Sequence, residues 1–171
     1  MEFDMIVEIP AGSRNKYEMD QSLGRIRLDR TLFTATAYPA DYGFVPGTLA
    51  EDSDPLDAMV LLDAPTFPGC QIRVRPVAVF WMRDEKGPDA KVLCVPAGDQ
   101  RYDHITDLPD LAPHLQAEIG HFFDVYKQLE PGKQSEVRGW QDRAHAEATI
   151  QDAFDRGAAV ATSPADAARS H

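Results

Sequence analysis

Two cysteines in 171 residues are too few for a disulfide framework. Both Cys70 and Cys94 lie inside apolar, strand-like runs, which predicts buried thiols in a reducing compartment. Basic residues are also scarce. With 17 Lys and Arg against 28 Asp and Glu, the net charge is −11, so no basic stripe is expected for a nucleic-acid backbone or an anionic membrane. Any anionic substrate must then be met by a local cluster of cations. No apolar run approaches the roughly 18 residues that span a bilayer, and Met1-Glu2-Phe3-Asp4 has neither the basic nor the apolar part of a secretory leader. The expectation is a soluble, cytoplasmic protein. A Gly-rich phosphate loop and a Ser or Cys nucleophile elbow are missing too. His104, His114, His121, His145 and His171 show no metal-ligand spacing and are read as surface or packing residues.

What the chain has instead is acid concentrated at one point. Asp52-Ser53-Asp54-Pro55-Leu56-Asp57 carries closely spaced carboxylates, Pro55 prevents a regular helix through them, and Ala58-Met59-Val60-Leu61-Leu62 reads as a buried strand. The acids therefore sit on a loop at a strand mouth. Like charges this close raise one another's pKa, and a chain that concentrates them normally supplies cations to keep them ionised. Oxygen ligands alone favour a hard divalent ion, Mg²⁺ or Mn²⁺ before Zn²⁺. A calcium loop of EF-hand type fits poorly, because Asp57 stands where that loop needs Gly and Asp63 where it needs Glu. Taken alone, such a loop is as readily a solvated acidic turn.

The whole chain, 43% apolar, is long enough for one domain with a real core, expected over residues 1–156, with 157–171 as an Ala-rich flexible tail. Phe3 to Ile9 alternates as a strand. Asn15 to Asp20 and Arg25 to Arg30 flank Gln21-Ser22-Leu23-Gly24 as a hairpin. The Pro- and Gly-rich stretch from Thr36 to Gly47 is read as bent backbone carrying tyrosines. Cys70 to Arg75, Val77 to Arg83 and Ala90 to Val95 are three further strand candidates, the last two joined by a hairpin with Asp84 and Asp89 at its lips and Lys91 on the side of Asp89. From Asp110 the period becomes helical, through Leu111, Leu115, Ile119, Phe122, Phe123 and Tyr126. A second helix is predicted from Trp140 or Asp142 to about Arg156.

Glu8, Glu18, Asp52, Asp54, Asp57, Asp84 and Asp89 outnumber Lys16, Arg30, Lys91 and Lys127, so a pocket built from them would reject a polyanion. Divalent ions reverse its sign, after which the bases and the hydroxyls of Tyr42 and Tyr126 can hold phosphate oxygens. That combination suits phosphoryl transfer to water. Spacing alone does not bring these residues together.

Ile6-Val7-Glu8-Ile9-Pro10, Asn15-Lys16-Tyr17-Glu18, Leu28-Asp29-Arg30, Tyr38-Pro39-Ala40-Asp41-Tyr42-Gly43-Phe44, Asp52 to Asp57, Asp84 with Asp89-Ala90-Lys91, and His121-Phe122-Phe123 with Tyr126-Lys127 together resemble the soluble family I inorganic pyrophosphatases, over roughly residues 3 to 156. The resemblance implies an α+β, mainly β fold, a small OB-like barrel of about five strands flanked by two helices. It further implies a Mg²⁺-dependent hydrolase using several ions, with Mn²⁺ or Zn²⁺ as substitutes, and in bacteria usually a homohexamer. Its substrate would be inorganic pyrophosphate, with no nucleic-acid or membrane partner. Carried over by position, Glu8, Asp52, Asp57, Asp84 and Asp89 look like metal ligands, and Asp54 like the acceptor of the attacking water's proton, with Asp89 as second choice. Lys16, Arg30, Tyr42, Lys91, Tyr126 and Lys127 look like the phosphate-holding set, and Glu18 like their supporting partner. Ala78 stands where the family commonly has Gly, and Lys86 and Gln21 occupy variable turn positions expected to take no part in the site.

Two rivals stay open. A nucleoside-triphosphate or polyphosphate hydrolase would use the same ions, although no aromatic sandwich for a base is visible, and phosphate release from pyrophosphate against ATP separates them. A cation-binding or OB-type nucleic-acid module is the other, opposed by the −11 charge. Phosphate release with and without EDTA decides that case.

Overall fold

The computed structural model describes residues 1–162. Ser163 to His171, most of the expected tail, lie outside the described residues. Strand β1 (Phe3–Ile9) buries every second side chain, as its alternation demands. The hairpin β2 (Asn15–Asp20) and β3 (Arg25–Thr31) follows, then β4 (Asp41–Phe44), β5 (Asp57–Val60), β6 (Gln71–Asp84) and β7 (Gly87–Pro96). Helix α1 (Pro113–Val125), strand β8 (Ser135–Gln141) and helix α2 (Arg143–Ala161) complete the chain.

Strands β1, β4, β5, β7 and β6 pair in that order, and β6 returns to β1, so the sheet closes into a ring of five, with β8 added on β6. The β2–β3 hairpin is a separate two-stranded sheet. Closure removes the free edges that an open sheet would expose. Side chains alternate between two apolar clusters. Met59, Phe80, Met82, Leu93 and Val95 face one with Phe122 and Phe123 of α1, while Ala58, Val60, Val79, Val92 and Cys94 face the other with Ala146, Ile150 and Ala153 of α2. In the first, the rings of Tyr38, Tyr42, Phe122, Phe123 and Tyr126 stack with centroids 4.7 to 6.0 Å apart. Such pairs add roughly 0.5–1.5 kcal/mol each beyond burial, and here they fix Tyr42 and Tyr126 in place.

Several expectations are corrected. The two strands expected over Cys70 to Arg75 and Val77 to Arg83 are one, β6, which starts at Gln71 and whose register shifts between Pro76 and Ala78, where the imino acid interrupts the ladder. The stretch read only as bent contains β4, with Gly43 so close to β1 that a Cβ would meet the Ile6 carbonyl oxygen at 1.8 Å. Trp140 belongs to β8, and α2 starts only after Asp142, whose carboxylate caps it through the His145 N–H. That helix runs to Ala161, and a Cβ on Gly157 would lie 2.2 Å from the Gly47 carbonyl oxygen, so its last turns pack tightly on the body. Cys94 is buried as expected, whereas Cys70 is half-buried because it precedes β6 at a turn.

Candidate active site

The register of three strands decides where the acids and bases go. Asp57 of β5 lies beside Lys91 of β7 in a parallel pair, and Met82 of β6 lies opposite Asp89, leaving Asp84 two residues further along the same face. Tyr42 pairs with Met59, two residues from Asp57. These positions continue the α1-side face of the sheet beyond its apolar part. Sheet periodicity therefore gathers residues from four strands at one end of the ring.

They line a cleft of about 540 Å³. Every residue expected from the sequence is on its wall: Glu8, Lys16, Glu18, Arg30, Tyr42, Asp52, Asp54, Asp57, Asp84, Asp89, Lys91, Tyr126 and Lys127. Asp29, Glu85, Lys86, Lys133 and Gln21 line it too. Lys86 and Gln21, expected to take no part in the site, thus stand on its wall. Lys86 sits in the tight β6–β7 turn and reaches across to donate to Asp54 Oδ2 at 3.1 Å. A charged residue two positions from Asp84 was the available signal.

Lys91 lies at the bottom, with its side chain 2% exposed. Its ammonium donates to the Tyr42 hydroxyl at 2.8 Å, Asp57 Oδ2 at 2.8 Å and Asp89 Oδ2 at 3.0 Å, so all three of its N–H groups have partners. Tyr42 also donates to Asp57 Oδ2 at 2.5 Å. Burial alone would lower the Lys91 pKa, but Asp57 and Asp89 outweigh it and hold the group well above its ordinary value as a cation. Burial likewise raises Asp89, with Lys91 opposing and Asp57 adding to the rise. Lys127 reaches Asp84 at 3.4 Å, and Lys16 pairs with Glu18 across one face of β2.

Asp52 and Asp54 are shaped by a strained loop. Ser53 has φ of 71°, a left-handed conformation that a residue with a side chain seldom adopts. The Asp54 N–H is accepted by Asp52 Oδ1 at 3.0 Å, and the Ala50 N–H donates to the Asp54 carbonyl at 2.7 Å. Burial and the neighbouring Asp54 raise the pKa of Asp52, partly offset by that backbone hydrogen bond.

Glu8 accepts the Met19 N–H at 2.8 Å, yet burial and the Asp57 charge push its pKa up to about 7 from an ordinary 4.5. A folded-state pKa above the unfolded one means the native protein keeps a proton that the unfolded chain has lost. Without divalent ions, its contribution to stability is therefore present at low pH and lost as pH rises from about 4.5 to about 7. Thermal melts in EDTA across that window should show the slope in the native chain and a shallower one in Glu8→Gln. Identical slopes would discard Glu8 as its source.

Nine carboxylates and six cationic side chains line the cleft, so its own cations do not balance its acids. Among the described residues no three His, Cys, Asp or Glu side chains converge as a ready ligand cluster, and Lys91 stands between Asp57 and Asp89. The donor set nonetheless fits hard divalent cations: it is made of oxygens, its acids outnumber the cleft's cations, and burial raises the pKa of Glu8, Asp52 and Asp89. Interleaved with the acids, Lys16, Arg30, Lys127 and Lys133 offer donors suited to phosphate oxygens.

Comparison with known proteins agrees with this geometry. The family described as "Inorganic pyrophosphatase" matches residues 5–158. A Streptomyces coelicolor protein named inorganic pyrophosphatase is 58% identical over 156 residues, 91% of this chain and 96% of that one. One from Leifsonia xyli is 54% identical over 152 residues, 89% of this chain and 93% of that one. Among solved structures, the inorganic pyrophosphatase of Thermus thermophilus superimposes with a TM-score of 0.90 at 50% identity, covering 92% of this chain and 91% of that one. That of Helicobacter pylori gives 0.90 at 38% identity, covering 92% and 94%.

Proposed function

The chain belongs to the inorganic pyrophosphatase family and hydrolyses inorganic pyrophosphate to two orthophosphates, and we propose that it does so with magnesium, by direct transfer to water without a covalent intermediate. One observation carries the metal requirement: a cleft whose acids outnumber its bases, with buried carboxylates raised in pKa, yet with phosphate-type donors among its lining. In this reading Glu8, Asp52, Asp57, Asp84 and Asp89 hold the cations. Bound magnesium would neutralise substrate charge and make water more acidic.

The chain's own groups do the rest. Lys16, Arg30, Lys127 and the Tyr42 and Tyr126 hydroxyls hold and orient phosphate oxygens, supported by Glu18. The Asp54 carboxylate takes the proton as the water oxygen bonds to phosphorus, with Asp89 as the second choice. The bridging oxygen leaves with its bonding pair as part of the second phosphate, where the cationic side chains offset its charge. Lys91 serves Asp57 and Asp89 in the resting site and is a donor to phosphate when they bind cations.

The test is release of orthophosphate from pyrophosphate and from ATP, with magnesium titrated and with EDTA. Magnesium-dependent release from pyrophosphate, with ATP a poor substrate, is expected. Equal turnover of ATP would favour a general polyphosphate hydrolase, and full activity in EDTA would end the metal reading. Manganese and zinc are expected to substitute less well. A cytoplasmic setting suits the two free thiols, and fractionation would test it. The family resemblance implies a homohexamer, and the exposed Phe33, Phe67 and Leu129 are apolar surface that assembly would cover. Sedimentation near six times 19.0 kDa is expected, and a monomeric mass would remove the proposal.

A further inference from the structure

We infer that Glu130 is the positioning residue for Arg30, setting its guanidinium toward the substrate and tying the β2–β3 hairpin to the end of α1. The inference rests on the pyrophosphate reading above. Glu130 sits in the turn after α1, where its N–H donates to the Lys127 carbonyl at 3.0 Å and its own carbonyl accepts the Lys133 N–H at 3.3 Å. Its backbone is thus fixed beside Lys127 and Tyr126. Its carboxylate is 6% exposed, a burial that is costly for a charge unless a cation meets it.

Arg30 is that cation. Nη2 donates to Glu130 Oε2 at 3.1 Å, and Nε lies against Oε1. Nη1 donates to Asp29. A guanidinium has five N–H groups, so one remains on each Nη, the number needed to grip two oxygens of a phosphoryl group. Asp29 is the adjacent residue and moves with Arg30, so it cannot set where the hairpin stands. Glu130 can, because it belongs to a different element. The hairpin is outside the ring and is also held near the cleft by the Met19 N–H to Glu8 and by Tyr17, which packs against the cluster under α1, but neither contact is made by Arg30. Freed from Glu130, the guanidinium would keep its charge and lose its aim.

The experiment measures steady-state pyrophosphate hydrolysis with saturating magnesium in the full chain. Glu130→Gln is expected to raise KM for pyrophosphate about 10- to 100-fold, the range for losing a hydrogen bond to a charged group, while kcat changes much less. Arg30→Lys should do likewise, and Arg30→Lys with Glu130→Gln should be no worse than Arg30→Lys alone, because both act through one contact. Glu130→Asp, which keeps the charge, should lie between native and Gln. If Glu130→Gln fails to fold by circular dichroism, Glu130→Asp with Arg30→Lys completes the same cycle. An unchanged KM in a folded variant, or effects that multiply independently, would overturn the inference. No pyrophosphate turnover by the native chain would instead overturn the functional reading on which it stands.

Discussion

Asp54→Asn is expected to lower kcat for pyrophosphate by about 10²- to 10⁴-fold, the usual cost of removing a well-placed general base. Melting should hardly change. Asp54 is 62% exposed, and asparagine can still accept from Lys86 through its carbonyl oxygen. The loop conformation depends on the Asp54 backbone N–H and carbonyl and on the Asp52 side chain, none of which the substitution removes. Loss of turnover therefore cannot be charged to a collapsed site. Asp89→Asn makes the comparison. Asp89 is largely buried and holds Lys91 at 3.0 Å, so neutralising it disturbs the resting site as well as any proton transfer. A kcat loss without a melting change in Asp54→Asn, against losses in both for Asp89→Asn, assigns the proton to Asp54. Unchanged turnover in Asp54→Asn would pass the role to Asp89.

Much of this arrangement was legible in the chain because the signals were local. Period-two alternation in Phe3 to Ile9, the Gly24 turn of the hairpin, and the 3.6-residue stripe through Ile119, Phe122 and Phe123 each reflect one element burying one face. The acidic loop was visible since three Asp around a Pro stand out against any background. Less legible were elements whose reason lies elsewhere in the fold. β4 is disguised by Pro39 and Gly43, and Gly43 is required only because β1 passes over it. β8 carries charges and a Gly139 at φ of 111°, and it is a strand because β6 offers it a partner. Glu130 stands in Glu130-Pro131-Gly132, which in the chain signals no more than the stop of a helix. Its partner is 100 residues away, and no periodicity joins the two. Lys86 occupies a variable turn position, which in the chain signals no site, yet this turn lines the cleft.

Lys91→Met is expected to be the most damaging single change to stability, at about 3–5 kcal/mol, the range for breaking a buried pair by removing one partner. Methionine is unbranched and only one heavy atom shorter, so most of the packing near Tyr42 and Phe123, whose ring centroids lie 5.1 Å from the ammonium, is kept. What disappears is charge. Asp57 and Asp89 then lose the ammonium they share, and their charges are left to repel one another. Denaturant unfolding should show the loss in EDTA, and a partial recovery when Asp57→Asn is added, since one of the two opposed charges has gone. Magnesium should raise the melting temperature of Lys91→Met more than that of the native chain, because the acids that Lys91 compensated are left for a cation to neutralise. Activity should fall too, by about 10²- to 10³-fold, the cost of losing one preorganised donor to developing phosphate charge. A Lys91→Met protein that melts like the native one, with no added gain from magnesium, would mean that the acids at the bottom of the cleft do not need the charge that Lys91 brings.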